Sequence, residues 1–166
     1  MIIRNETISD ITAINEVTIA AFKNLAISNH TEQFIINALR EANALTISLV
    51  AEIDGKIVGH IAFSPATISD GATGWYGLGP VSVLPEYQKK GIGKSLIGEG
   101  LSLLKKLGGQ GCVLVGHPDY YKRLGFQNFP ALVHEGVPQE VFFALPFTEK
   151  APKGIVVFHE GFLANG

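Results

Sequence analysis

One cysteine, one methionine and one tryptophan occur in the 166 residues. A single cysteine, Cys112, excludes an internal disulfide and cannot make a zinc site by itself. The five histidines (30, 60, 117, 134 and 159) are scattered without metal-ligand spacing, so no metal is expected. Charge is also sparse, at 17% of residues with a formal net charge of -2. A dedicated nucleic-acid binder would be basic over most of one face, so no nucleic-acid partner is expected. No apolar run approaches the ~20 residues that cross a bilayer, which leaves no membrane partner. The opening MIIRNETISD lacks the charged, apolar, then small pattern of a signal peptide, and the cytoplasm is the expected location. The length suits one compact domain over 1–166, able to bury a core without disulfides or metal. Glycine, in contrast, is abundant at 19 residues, which predicts many turns and a backbone-lined site.

The chain begins with a short strand at Ile2-Ile3-Arg4. Ser9 or Asp10 can cap a helix whose apolar positions Ile11, Ile14, Val17 and Ala21 recur at three- and four-residue steps. It should end near Phe22-Lys23. Thr31 opens a second helix with an apolar stripe of Phe34, Ile35, Ala38, Leu39 and Ala42. The pattern then changes to alternation in TISLVAEI (46–53). Asp54-Gly55 is a two-residue hairpin signal, and KIVGHIAFSPATI (56–68) is the returning strand. Pro65 marks a bulge or a point where ladder bonding lapses. WYGLGPVSVL (75–84) is a third strand, interrupted by Gly77, Gly79 and Pro80.

A helix follows, with Ile92, Leu96, Ile97, Leu101, Leu104 and Leu107 on its apolar positions and Gly108-Gly109 as its stop. GCVLVG (111–116) is short and wholly apolar, as expected of a strand buried on both faces. Pro118 fits the first turn of a short helix, PDYYKRLGF. VFFALPF (141–147) and GIVVFHEGF (154–162) are two further apolar runs. The order β-α-α-β-β-β-α-β-α-β-β implies an α/β fold of the α+β type. Its sheet is mixed, with helices on both faces.

LPEYQKKGIGKSL (84–96) joins the third meander strand to its helix. Gly93-Lys94-Ser95 match the end of a Walker-type P-loop, but position 88, where its first glycine belongs, is Gln. Gly91-Ile92-Gly93 begin a dinucleotide fingerprint, but position 96 is Leu. A third pattern, Gln88-x-x-Gly91-x-Gly93, is intact. A turn entering a helix leaves its first N–H groups without helical partners. Glycines let the backbone approach a bulky anion, and the helix dipole and Lys89, Lys90 and Lys94 supply positive charge. A pyrophosphate fits such a cradle without a metal, and so does a plain turn with solvated lysines.

The stretch GPVSVLPEYQKKGIGKSLIGEGLSLLKKLG resembles motif A of the GNAT superfamily of acyl-CoA-dependent N-acetyltransferases. Val83, Pro85, Tyr87, Gln88, Gly91, Ile92, Gly93 and Leu96 carry the likeness. YYKRLGF (120–126) is similar to a later motif of the same family, and GHPDYY resembles a bacterial predicted branch of it. The resemblance implies a mostly antiparallel central sheet of about seven strands. It also implies a V-shaped split between the strands at 75–84 and 111–116.

Several roles follow from the resemblance. Val81, Ser82 and Val83 would present backbone groups to the pantetheine arm of acetyl-CoA. Gln88, Lys89, Lys90, Gly91, Ile92, Gly93, Lys94 and Ser95 would wrap its pyrophosphate. Tyr121 would be the general acid for the departing thiolate, with Tyr120 as the fallback. His117 stands where many relatives carry an asparagine and would contact the cofactor or sit near the sulfur. The expected activity is transfer of acetyl to a primary amine in a direct ternary complex. A non-catalytic acyl-CoA-binding or sensing domain is the alternative, and a P-loop-like nucleotide-binding protein is a third.

The general base is the open position. Relatives place a Glu on the strand before motif A, but Trp75 to Leu84 contains no acidic residue. Glu52 and His60 on the meander and His134 and Glu135 in the later loop are the candidates, with His60 foremost. Positioning without a dedicated base is the other solution. Cys112 reads as core. Substrate selection falls to Lys23–Thr31 and to Gln127–Gln139. The resemblance is to a family that often forms homodimers. No exposed apolar strip in the sequence decides the matter here, and the C-terminal strands would be the interface of such a homodimer because edge strands need cover.

Overall fold

The computed structural model describes residues 1–166. The elements are β1 (Ile2–Asn5), α1 (Ile11–Phe22), α2 (Glu32–Glu41), β2 (Ile47–Ile53), β3 (Lys56–Ile68), β4 (Trp75–Val83), α3 (Ile92–Lys106), β5 (Gly111–Val115), α4 (Pro118–Arg123), β6 (Leu132–Val133), β7 (Phe142–Pro146) and β8 (Gly154–Phe158). The expected order holds, with one addition. β6 is only two residues long, too short to leave any periodicity in sequence, and it raises the strand number from the expected seven to eight.

The main sheet runs β1-β2-β3-β4-β5-β7. β1 to β4 are antiparallel neighbours, β4 and β5 are parallel, and β5 and β7 are antiparallel. The β2–β3 turn is set by Asp54 and Gly55, with φ of 50° and 77°. Both values suit the primed hairpin turn that matches strand twist. β3 changes partner along its length. It pairs with β2 as far as Phe63 and with β8 from Ala66 to Ile68. Pro65 stands at the exchange, still opposite Tyr76 of β4. Of the two expectations for Pro65, the lapse in ladder bonding is the one observed. β8 also pairs with β6, which extends the sheet around the end of β3.

Alternation sorts the core onto two faces. Ile61, Phe63, Leu96, Leu104, Cys112, Leu114 and Phe143 pack together on the α3 side. Trp75, Val113, Leu132, Phe142 and Val156 pack on the other. Cys112 and Leu114 thus face α3 while Val113 faces away, so β5 is buried on both sides, as its unbroken apolar run predicts. Ile14 of α1 and Ile36 of α2 pack on Val50 of β2. The first helix begins where Thr7 donates its amide and its hydroxyl to Asp10. Asp10 in turn holds Arg4 of β1 at 2.7 Å, which pins α1 to the first strand.

α3 carries two glycines with opposite meanings. Gly100 is buried, and a Cβ there would lie 2.2 Å from the Phe63 ring. Gly98 is exposed, with nothing within 4 Å of an added Cβ. Gly98→Ala should therefore stabilise the protein by up to ~1 kcal/mol through helix propensity. Gly100→Ala should destabilise it by ~1–3 kcal/mol through overpacking. Chemical denaturation of both variants checks this, and stabilisation by both would contradict the close approach of Phe63.

Candidate active site

β4 and β5 run together for only three rungs. Trp75 pairs with Gly111, Tyr76 with Cys112 and Gly77 with Val113. Beyond Gly77 they part. Two features of β4 drive the separation. Pro80 has no N–H to give a ladder, and the register against β3 slips between Ile61 and Phe63, opposite Gly79-Pro80. A bulge of this kind bends a strand and raises its twist. β5 instead keeps its antiparallel partner, with Leu114 opposite Phe143 and Val115 opposite Phe142. The result is a fork with Gly77 and Val113 at its apex. The β4 edge from Leu78 to Val83 has no β5 partner, and Val81 and Val83 are only half-buried.

The glycine turn closes one end of this fork. Pro85–Tyr87 form a single 3-10 turn, and Gln88 Nε2 donates to the Val83 carbonyl at 3.0 Å. Gln88 therefore ties the turn to the end of β4. Lys89 and Gly91 take positive φ of 64° and 84°. Gly91 is the N-cap of α3, and the first helical bond is Ser95 N–H to the Gly91 carbonyl at 3.0 Å. The amides of residues 89 to 94 consequently donate to nothing in the protein. Consecutive free N–H groups at a helix N-terminus form an anion-binding concavity.

α4 forms the opposite wall. Tyr121 lays its ring on Gly116, where a Cβ would lie 2.3 Å from the ring edge. Phe126 meets it edge-on with centroids 5.8 Å apart. Burial pushes the Tyr121 phenol up to about 12, so the hydroxyl stays protonated at neutral pH. That hydroxyl has no protein partner and is not enclosed. Tyr120 lies across the gap, its hydroxyl 3.3 Å from where a Cβ of Gly93 would stand, and Val83 Cγ2 lies 3.9 Å from the same point. Val83, Gly93 and Tyr120 are thus brought together. His117 is the exposed N-cap of α4, and its carbonyl accepts the Tyr121 amide at 3.2 Å.

The base candidates are placed quite differently. His60 is fully buried and pairs across the ladder with Ser82. Its Nε2 lies 2.7 Å from Ser48 Oγ, and Ser48 in turn bonds Glu6. Burial lowers the His60 imidazole to about 4; the Glu6 charge opposes the shift and Arg40 adds to it. Burial also works against ionisation of Glu6, but the bonds from Arg40 and Ser48 outweigh it and its carboxyl sits below the usual range. Glu52 is not a free solvent-facing group; Arg4 holds it at 2.9 Å. His134 places Nδ1 2.9 Å from the Val156 carbonyl and stands edge to face against Phe158. Glu135 is exposed. Burial raises the Cys112 thiol well above its ordinary value, as its reading as a core residue requires. No group of three or more His, Cys, Asp and Glu side chains comes together that could hold a metal ion.

A forked sheet with a glycine-capped helix at its mouth can take an extended ligand along the β4 edge and an anion at the free amides. Residues 45–128 match the Acetyltransferase (GNAT) domain family. The chain belongs to the GNAT acetyltransferases. The uncharacterised N-acetyltransferase YhbS of Escherichia coli K12 is 34% identical over 128 residues, covering 76% of this chain and 74% of that protein. YjhQ of the same strain, another uncharacterised N-acetyltransferase, is 34% identical over 146 residues, covering 86% and 76%. Among solved structures, a GNAT acetyltransferase from Brucella melitensis in complex with acetyl-CoA is 48% identical, with a TM-score of 0.86 over 97% of both chains. E. coli YhbS in complex with CoA superposes with a TM-score of 0.90 at 28% identity, over 99% of this chain and 93% of that one.

Within this GNAT fold, the residues from Val81 to Ser95 and Tyr121 lie around the fork. His60 lies one strand in from it and has no solvent access. Sequence reasoning gave no place to Glu6, Ser48 and Arg40, which lie far apart in the chain and meet only through register. By alternation Ser48 shares the polar face of Thr46 and Glu52, and only the burial of β2 on both faces encloses it.

The buried neutral His60 predicts a pH dependence of stability. Its folded value, about 4, is below its unfolded value of 6.5, so the unfolded state binds more protons in that interval. Stability should fall as pH drops from about 6.5 to 4, by up to ~3 kcal/mol from this group. Urea unfolding from pH 7.5 to 4.5 should show this slope, and His60→Gln should flatten it. An unchanged slope in the variant would assign it to other groups.

Proposed function

We propose that the protein binds acetyl-CoA in the fork and transfers its acetyl group directly to a primary amine. The run of unpartnered amides from 89 to 94, beside the unpaired edge of β4, is the observation that carries this reading. The pyrophosphate takes those amides, with the positive end of α3 behind them and Lys89, Lys90 and Lys94 around them. Ser95 completes the rim. The pantetheine arm runs along Val81, Ser82 and Val83 and supplies hydrogen bonds that β5 no longer gives. The thioester then lies toward the apex. The related structures that hold acetyl-CoA and CoA support the same ligand here.

Transfer requires three things of the protein. It holds the thioester carbonyl and an amine nitrogen in contact, which converts a bimolecular step into a local one. It supplies a proton to the departing CoA thiolate; a Tyr121 hydroxyl kept protonated by burial suits this role. It removes a proton from the attacking nitrogen. β4 offers no carboxylate for that step, so the proton leaves by another route. His117, exposed beside α4, borders the path of the cofactor. The α1–α2 connection at 23–31 and the segment 127–139 frame the amine. Residues 1–166 act as one domain, in the cytoplasm, and pair as a homodimer through the C-terminal strands.

The test is CoA release from acetyl-CoA with a panel of amino acids, polyamines, aminoglycosides and lysine peptides. Tyr121→Phe should lower kcat by about 100-fold while acetyl-CoA affinity by calorimetry stays within a few fold. Gly91→Ala forces φ near 84° on a residue with a Cβ. That strain is worth ~1–2 kcal/mol; the free turn sheds it by leaving the left-handed conformation and must regain it to present its amides, so acetyl-CoA binding should weaken about tenfold. Tight acetyl-CoA binding with no turnover on any amine would leave a non-catalytic acyl-CoA-binding domain instead.

A further inference from the structure

Three buried side-chain atoms have no partner inside the protein: His60 Nδ1, Ser64 Oγ and Ser82 Oγ. They share one face of the sheet. His60 and Ser64 are four residues apart on β3, and Ser82 stands directly opposite His60 on β4. Each buried orphan costs ~1–3 kcal/mol. Ser64 lies ~13 Å along β3 from His60, so the polar site is the cross-strand pair of His60 Nδ1 and Ser82 Oγ. A water, with two donors and two acceptors, has the size and chemistry to bridge these two. Ser82 belongs to the stretch of β4 that borders the fork.

The other end of the imidazole leads outward. Nε2 lies 2.7 Å from Ser48 Oγ, which also bonds Glu6 Oε1. Arg40 grips the same carboxylate at 2.8 and 2.9 Å. A carboxylate can only accept, so the Ser48 hydroxyl donates to Glu6. Ser48 then accepts from His60 Nε2–H, which leaves the Nδ1 lone pair turned toward the fork side. Glu6 lines a cavity of about 320 Å³ with Arg40, Asn43 and Thr46. The charged groups that face His60 are Glu6 and Arg40.

We propose that His60, Ser48 and Glu6 form the route by which the amine proton leaves the fork. The inference rests on the acetyltransferase reading and names the missing base in it. The amine nitrogen bonds the acetyl carbon, the carbon–sulfur bond breaks, and the CoA sulfur takes the Tyr121 proton, which solvent restores. The proton lost by nitrogen passes through the enclosed water to His60 Nδ1. The Nε2 proton moves to Ser48, and the Ser48 proton moves to Glu6 and out through the cavity. His60 acts through a water and is a relay residue, not a catalytic one. Burial, with Arg40 adding and Glu6 opposing, keeps its imidazole neutral, so the Nδ1 lone pair is free to accept.

Two measurements test this. The first is kinetic, with the amine that gives turnover in the panel above. His60→Gln should lower kcat roughly 100-fold, leave acetyl-CoA affinity unchanged, and regain rate as pH rises, because more amine arrives already neutral. Ser48→Ala should behave alike, and Ser48→Thr, which keeps the hydroxyl, should restore the rate and so exclude a folding defect. Unchanged kcat in both His60→Gln and Ser48→Ala overturns the route. The second is independent of the amine. In CoA-bound protein carrying nitrogen-15 histidine, long-range correlation spectra should show His60 as the Nε2–H form, with a water contact at its ring. An Nδ1–H form, or a ring with no water contact, overturns the route whatever the kinetics. Absence of acetyl-CoA binding in the wild type would instead sink the acetyltransferase reading.

Discussion

The early parting of β4 from β5 is the constraint on which the rest of the structure depends. Three shared rungs hold the pair together at its base, and a proline and a slipped register prevent a fourth. An unpaired strand edge inside a sheet is costly unless something hydrogen-bonds to it. That unmet demand makes the fork a receptor for an extended chain of amides. It also fixes the positions of its neighbours. The end of β4 delivers the chain to the glycine turn, and the end of β5 delivers it to α4. Two helix termini are therefore aimed at one gap by the same divergence.

The local parts of this arrangement were legible in sequence because their causes are local. Asp54-Gly55 needs positive φ wherever it occurs. The glycine turn needs a backbone without side chains, and an apolar run as short as 111–115 suits only a central strand. The resemblance at Val83 to Leu96 and at YYKRLGF carried the fork itself. Other features depend on register over long separations and left no local trace. Glu6 meets Ser48 and Arg40 from separations of 42 and 34 residues. Glu52 looks like a solvent-facing strand residue until β1 brings Arg4 beside it. Gln88 reads as part of a cradle, yet in the fold its amide faces back to Val83. β6 is set by its partner β8 and not by its own two residues.

Small residues act here as the negative image of aromatic ones. Gly116 makes room for Tyr121, Gly111 for Trp75, Gly100 for Phe63 and Gly77 for Phe158. Three of these pairs cross between elements remote in sequence; Gly116 and Tyr121 meet across one turn. The high glycine content therefore reflects packing as much as turns. Phe158 in particular fills the space above the fork's apex and leans on His134 and Phe162. The C-terminal strand thereby walls the side of the fork away from α3, which couples the last segment of the chain to the apex of the site.

Cys112 gives this fold an internal clock. It is the only thiol in the chain, fully buried, and it sits on the second of the three rungs that hold the fork closed. A thiol so placed meets an alkylating reagent only when the strands or the Tyr121 wall move aside. Its rate of modification thus counts openings of the fork's base, without any engineered label. A ligand that bridges the two arms would slow that count, and one that merely rests on the surface would not.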